Sequence, residues 1–341
     1  MSRVIAETAA RKVVLGLLGL SFGGLCLWLA VRGVDWREVR GAAAMVDPSW
    51  IATAVALQGL NLLLRSARWR ELLLFAAPVR ASRVFDALLV GYAVNAALPA
   101  RLGELFRADR LARAGSVSRS TALASIVVER LLDLAMAVSL LLTGLGLVSG
   151  ADAKDSAQAV VRYVAIAGAL LAVAVAAALI AIGRGFASGQ AETLVLRLLR
   201  RLRQGPLIAR RLGAIADDFA SFARVLQSRR FLAALAMTLP IWAIETAAIW
   251  SICRAAQVEL GFAALLCLMG GISLSTVLPT APGFVGSYQY AWVLIFGQLG
   301  LDAATALVAA TTSQIFLIGT YAIAGLLLFA LSLLAAGHAR P

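Results

Sequence analysis

Histidine is all but missing from this 341-residue sequence: His338 is the only one. A Ser-His-Asp arrangement and a histidine-ligated metal centre are therefore excluded. Lysine is almost as scarce, with only Lys12 and Lys154, so arginine supplies nearly all the positive charge. The three cysteines, Cys26, Cys253 and Cys267, fall in or beside apolar segments at unrelated spacings, which fits neither a disulfide framework nor a metal site. No glycine loop of the Walker type occurs, and Gly19-Leu-Ser-Phe-Gly23 is at most a helix-packing motif. No catalytic residue, metal site or cofactor is expected on these grounds.

Charge is also sparse, at 14% of residues, whereas 61% are hydrophobic and the mean hydropathy is +0.88. A soluble domain holds roughly 45 to 50% apolar residues, so the chain reads as an all-α, polytopic integral membrane protein. The net charge of +13 lies beside apolar spans, with no zinc-ligand or aromatic RNA-binding pattern near it. Nucleic acid is excluded as a partner; arginine-rich cytoplasmic loops account for the charge. Abundant alanine and arginine with little lysine point to a GC-rich bacterium, hence a bacterial inner membrane.

Spans long enough for the roughly 20 residues of a bilayer crossing are expected at 13–31, 50–64, 121–148, 160–182, 231–252 and 303–334, about six in all. The first resembles a signal peptide behind Arg3, Arg11 and Lys12, yet it lacks a clear cleavage site and is read as a retained helix. Two further apolar stretches are broken by the same string. Gly91, Leu98, Pro99 and Gly103 recur as Gly271, Leu278, Pro279 and Gly283, each at an offset of 180. Paired Gly/Pro-broken segments at matching places in two halves mark a transport site.

The arginine distribution orients the chain. The connector 184–230 holds ten arginines against Glu192, Asp217 and Asp218, and 65–83 and 101–119 hold five each. These belong in the cytoplasm by the positive-inside rule, which puts both termini there. The two broken segments, at about 84–113 in a first half (1–148) and about 261–299 in a second half (231–335), then become oppositely oriented re-entrant hairpins of an inverted repeat within one domain, 1–341. Within the connector, Ile208, Leu212, Ile215, Phe219, Phe222 and Leu226 recur at spacings of four and three, an amphipathic helix.

Charges inside apolar segments need partners, water or a ligand, because an unpaired charge at the bilayer centre costs at least about 2.5–3.5 kcal/mol. Glu129 and Asp133, flanking Arg130, share a helical face at the i, i+4 spacing. Intramembrane ion pairs of Glu129 with Arg101 or Arg65 would lock helices together; Arg65 and Arg68, at a helix end, would snorkel to headgroups. Glu245 sits alone in its span and must face a cavity or take an arginine from elsewhere. Beyond each break, N–H groups at a new helix start suit a phosphate, with Arg101 adding a fork of donors. Ser287, Tyr288 and Gln289 offer neutral hydrogen bonds.

At these residues the chain resembles the transmembrane flippase domain of lysylphosphatidylglycerol synthases and its stand-alone relatives. The matching strings are Asn61-Leu-Leu-Leu-Arg65-Ser-Ala-Arg68-Trp69, Asn95-Ala-Ala-Leu-Pro99-Ala-Arg101-Leu-Gly103-Glu104, Val128-Glu129-Arg130-Leu-Leu-Asp133 and Pro282-Gly283-Phe-Val-Gly286-Ser-Tyr288. The resemblance implies a lipid translocase, not an enzyme, moving an anionic, aminoacylated or glycosylated membrane lipid between leaflets. Gln289 stands where many aminoacyl-lipid relatives have an acidic residue. Arg65, Arg68, Asn95, Pro99, Arg101, Gly103, Glu104, Glu129, Arg130, Asp133, Glu245, Pro282, Gly283, Gly286, Tyr288 and Gln289 are the substrate-binding residues expected. The alternative is a membrane-embedded enzyme or accessory subunit of hopanoid or glycolipid synthesis; a homo-oligomer stays open.

Overall fold

The computed structural model describes residues 19–98, 101–148, 166, 228–277 and 281–338. Pro99, Leu278, Pro279, the expected span 160–182 apart from residue 166, and the amphipathic pattern at 208–226 lie outside them. Among the described residues every element is helical. In chain order these are α1 (Gly19–Val31), α2 (Trp36–Ala44), α3 (Pro48–Leu73), α4 (Ala81–Ala97), α5 (Gly103–Arg113), α6 (Arg119–Val148), α7 (Arg229–Ala255), α8 (Phe262–Ser275), α9 (Ser287–Gln298), α10 (Ala303–Ser313) and α11 (Gly319–His338).

Local chemistry sets several boundaries. Asp47 accepts the Ser49 N–H at 2.8 Å ahead of Pro48, and Asp302 accepts the Thr305 N–H at 2.6 Å, so α3 and α10 start on side-chain caps. Leu98 is extended (φ −119°, ψ 143°), as a residue before proline must be, and this ends α4. A π-helical turn at Gln314–Ile318 joins α10 to α11.

Three helical stretches are long and apolar enough to cross a membrane: α6, α7 and the run Ala303–Leu328. α8 and the described part of the first helix are shorter. α3, at 26 residues, has the length but carries Arg65, Arg68, Arg70 and Glu71 in its last third. Among the described residues the protein is thus an all-helical membrane protein in which these charges sit on a long helix rather than in a loop.

The offset of 180 extends far beyond the Gly/Pro motif. Adding it carries α3 onto α7, α4 onto α8, and α6 onto the α10–α11 run. The packing follows suit: α6 lies against α8 as α4 lies against α11, α4 against α5 as α8 against α9, and α5 against α6 as α9 against α10. α3 packs along α7, its own counterpart. Reciprocal contacts of this kind are those expected of two halves related by a two-fold rotation, with α3 and α7 meeting between them. The crossings are close: a Cβ on Gly270 would sit 2.7 Å from the Ala137 carbonyl oxygen, and one on Gly144 would meet Cys267 at 2.7 Å. Small residues bring these helices together where lipid supplies no hydrophobic drive.

Candidate functional site

Between the two broken helix pairs lies a cavity of about 730 Å³. Its charged lining comes from α3 (Arg65), the first break (Arg101, Glu104), α6 (Arg130, Asp133) and α7 (Glu245). Gln58, Tyr92, Asn95, Ser273, Thr276, Tyr288 and Tyr321 add neutral polar groups, while Leu123, Val127, Leu131 and Leu134 form an apolar wall along α6. That spacing of four, four and three places them on one face of the helix.

The charges form one network. Asp133 pairs with Arg68 at 2.8 Å, Arg130 at 3.1 Å and Arg65 at 3.3 Å. Glu129, wholly buried, lies 2.5 Å from Arg130, 3.4 Å from Arg107 and 3.7 Å from Arg68. Glu104 takes Arg107 at 2.9 Å and Arg130 at 3.7 Å, and Glu245 takes Arg65. Arg107 also stacks over Trp69, whose indole donates to Ser125 at 2.9 Å. Such mutual pairing is what burying charge in a helix bundle requires.

Several expectations change. Glu129 pairs with neither Arg101 nor Arg65, because it sits behind the cavity wall with Arg68, Arg107 and Arg130. Arg65 and Arg68 do not snorkel; both are buried, at 8% and 0% exposure, within reach of carboxylates on α6 and α7. One N–H at each helix start beyond the breaks already has a side-chain acceptor. The Gly103 N–H donates to Asn95 Oδ1 at 2.8 Å, and the Gly286 N–H to Gln289 Oε1 at 2.8 Å. Gln289 further bonds Gln314 of the π-helical turn, whose amide donates to the Gly283 carbonyl at 2.6 Å. Gly283, Phe284 and Gly286 all hold positive φ (63°, 64° and 93°), so Pro282, Gly283 and Gly286 shape the second tip rather than line the cavity. Tyr288 does line it, its hydroxyl accepting from Ser313 at 3.1 Å.

Arg101 stands apart. Five guanidinium groups (65, 68, 101, 107, 130) face four carboxylates (104, 129, 133, 245), and Arg101 alone of the five pairs with no carboxylate among the described residues. It has a left-handed backbone (φ 53°) and reaches across the cavity to the second broken helix pair. There it donates to the carbonyl and hydroxyl of Thr276 and lies over the Phe284 ring at 5.4 Å. Thr276 is the C-cap of α8, where a cation meets the negative end of a helix.

The expected substrate-binding residues did not include Arg107, a member of this network, or Gln58, Tyr92 and Tyr321, which line the cavity. A polar stripe was available for the first of these three: Gln58, Asn61 and Arg65 recur at spacings of three and four on α3.

A relative named Glycosyltransferase AglD, from Haloferax volcanii, is 26% identical over 331 residues, covering 88% of this chain. The chain spans about half (51%) of that relative's length. This overturns the reading of the chain as a non-enzyme: a relative matched over 88% of this chain bears an enzyme's name. This likeness and the family match support a membrane lipid-related function. With residues 16–325 matched by the family described as Lysylphosphatidylglycerol synthase TM region, the chain belongs to that family.

Proposed function

We propose that the cavity receives the anionic headgroup of a membrane lipid and passes it from one leaflet to the other, the acyl chains staying in the bilayer along the apolar wall of α6. The observation that carries this is the unmatched charge. Each carboxylate of the network already has at least one guanidinium within salt-bridge distance, so an ammonium headgroup would find no open partner. An anion would find Arg101, whose forked donors suit phosphate oxygens. Val127, 37% exposed on the wall, marks where the tails leave.

The two broken helix pairs act in this reading as oppositely oriented re-entrant hairpins, and both termini are cytoplasmic in a bacterial inner membrane. Partners are membrane lipids. Arg101→Gln should abolish leaflet exchange of a labelled phosphatidylglycerol in proteoliposomes while the helical circular dichroism stays unchanged; undiminished exchange would sink the reading. A second reading, chemistry on a lipid, draws on the glycosyltransferase relative. Mass spectrometry of the same proteoliposomes separates the two, since translocation leaves every lipid mass as it was.

A further inference from the structure

The charge network accounts for one part of the cavity and leaves another part unexplained. Gln58, from the middle of α3, is 8% exposed and lines the cavity, yet its side-chain oxygen has no hydrogen-bond partner among the described residues. Burying an amide oxygen without a partner is costly, and a native structure keeps such a group only for a reason. Beside it, Tyr92 and Tyr321 stack with ring centroids 5.3 Å apart and planes within 16°. Tyr321 spends its hydroxyl on the Gln58 backbone carbonyl, at 2.6 Å. The Tyr92 hydroxyl makes no hydrogen bond among the described residues, and both rings line the cavity.

These groups share a chemistry. An amide oxygen wants a donor, a phenol can both give and accept, and a flat pair of rings suits an apolar C–H face. None of them carries charge, and the neighbouring carboxylates are already paired. The complement is an uncharged, hydroxyl-rich group. The cavity volume of about 730 Å³ lies within the roughly 300–1,000 Å³ of sites that enclose a small molecule. Arg101 and Gln58 line this one cavity.

We infer that Gln58 and Tyr92 form a neutral hydroxyl-binding subsite, and that with Arg101 they select a lipid whose headgroup is a phosphodiester-linked sugar or polyol. This rests on the anionic-headgroup reading above and narrows it. The subsite discriminates by hydroxyls, not by charge, since one phosphodiester brings the single negative charge that Arg101 matches.

The test is binding of lipids to the purified full chain in detergent, read by native mass spectrometry. Phosphatidylglycerol and phosphatidylmethanol are the probes, since both are monoanionic phosphodiesters and only the first carries hydroxyls. The parent should prefer phosphatidylglycerol by about tenfold, one such step in affinity. Gln58→Leu and Tyr92→Phe should each erase that preference without changing phosphatidylmethanol binding, and Tyr92→Phe keeps the stacked ring, so it tests the hydroxyl alone. Arg101→Gln should weaken both lipids together. Equal binding of the two lipids by the parent, or an unchanged preference in both variants, overturns the subsite while the anionic reading stands. Failure of either lipid to bind overturns that reading too. Free glycerol 3-phosphate binding as tightly as phosphatidylglycerol would make the ligand a solute and not a lipid.

Discussion

Arg65 and Glu245 are 180 positions apart, the offset of the Gly/Leu/Pro/Gly repeat, and they form a direct ion pair. Four residues earlier the same relation holds, with the Asn61 side chain donating to the Ile241 carbonyl at 2.6 Å. Residues that touch their own counterparts lie on the axis relating the two halves. If the halves exchange conformations during transport, as inverted repeats do, contacts between non-equivalent residues such as Arg101 and Thr276 have to be remade. A contact between equivalents maps onto itself and persists. The Arg65–Glu245 pair would then act as a pivot, with cohesion as its role.

Cohesion of this kind is measurable. Glu245→Leu leaves the Arg65 guanidinium with Asp133 and Asn61 as partners, and it should cost on the order of 2–3 kcal/mol, below the full cost of breaking a buried pair because the Glu245 side chain keeps 23% exposure. Adding Arg65→Leu removes the stranded charge, so the double variant should recover part of that loss. Thermal unfolding in detergent reads both. A double variant less stable than Glu245→Leu by the full cost of Arg65→Leu would show that the two residues are not coupled.

How much of this was legible beforehand depends on what repeats preserve. The Gly/Pro breaks kept their letters, with Gly103 crowded against Gly91 and Gly283 at positive φ, and they were readable. The charges did not. Arg68, Arg101, Glu104, Arg107, Glu129, Arg130 and Asp133 have Ala248, Ala281, Phe284, Ser287, Ala309, Ala310 and Ser313 as counterparts, so identity at the offset fades where the network lies. The repeat of α3 in α7 was invisible for that reason. Partner choice was not readable either, because Glu129 meets Arg68 and Arg107 only once α3, α5 and α6 are packed. Of the N–H groups expected beyond the breaks, those of Gly103 and Gly286 are taken by Asn95 and Gln289, whose side chains fold back on them locally.

Arg101 separates backbone from side chain. A left-handed conformation costs an ordinary residue roughly 1–2 kcal/mol and glycine almost nothing, and Arg101 holds φ 53°. Arg101→Ala keeps the strain and loses the bonds to Thr276, whereas Arg101→Gly loses the same bonds and relieves the strain. Arg101→Gly should therefore be the more stable of the two by about 1 kcal/mol, with lipid exchange abolished in both. Equal unfolding temperatures would place this residue outside the left-handed region in the membrane.

Gly103 is needed for a different reason, since its φ is not positive and the constraint is space. A Cβ there would run into the Gly91 carbonyl oxygen and the Asn95 side chain, which already receives the Gly103 N–H. These are the contacts that seat α5 on α4 and so position Glu104 and Arg107. Gly103→Ala should cost about 1–3 kcal/mol, the usual range for overpacking, and weaken lipid exchange by tilting both charged side chains. Gly59→Ala, on α3 with nothing within 4 Å of the added carbon, provides the control. Helix propensity alone should stabilise it by up to about 1 kcal/mol. Unfolding temperatures in one detergent decide the matter: a Gly103→Ala protein as stable as the parent would mean that α4 and α5 can separate without loss, and that the close approach at the first break is not what holds the network in place.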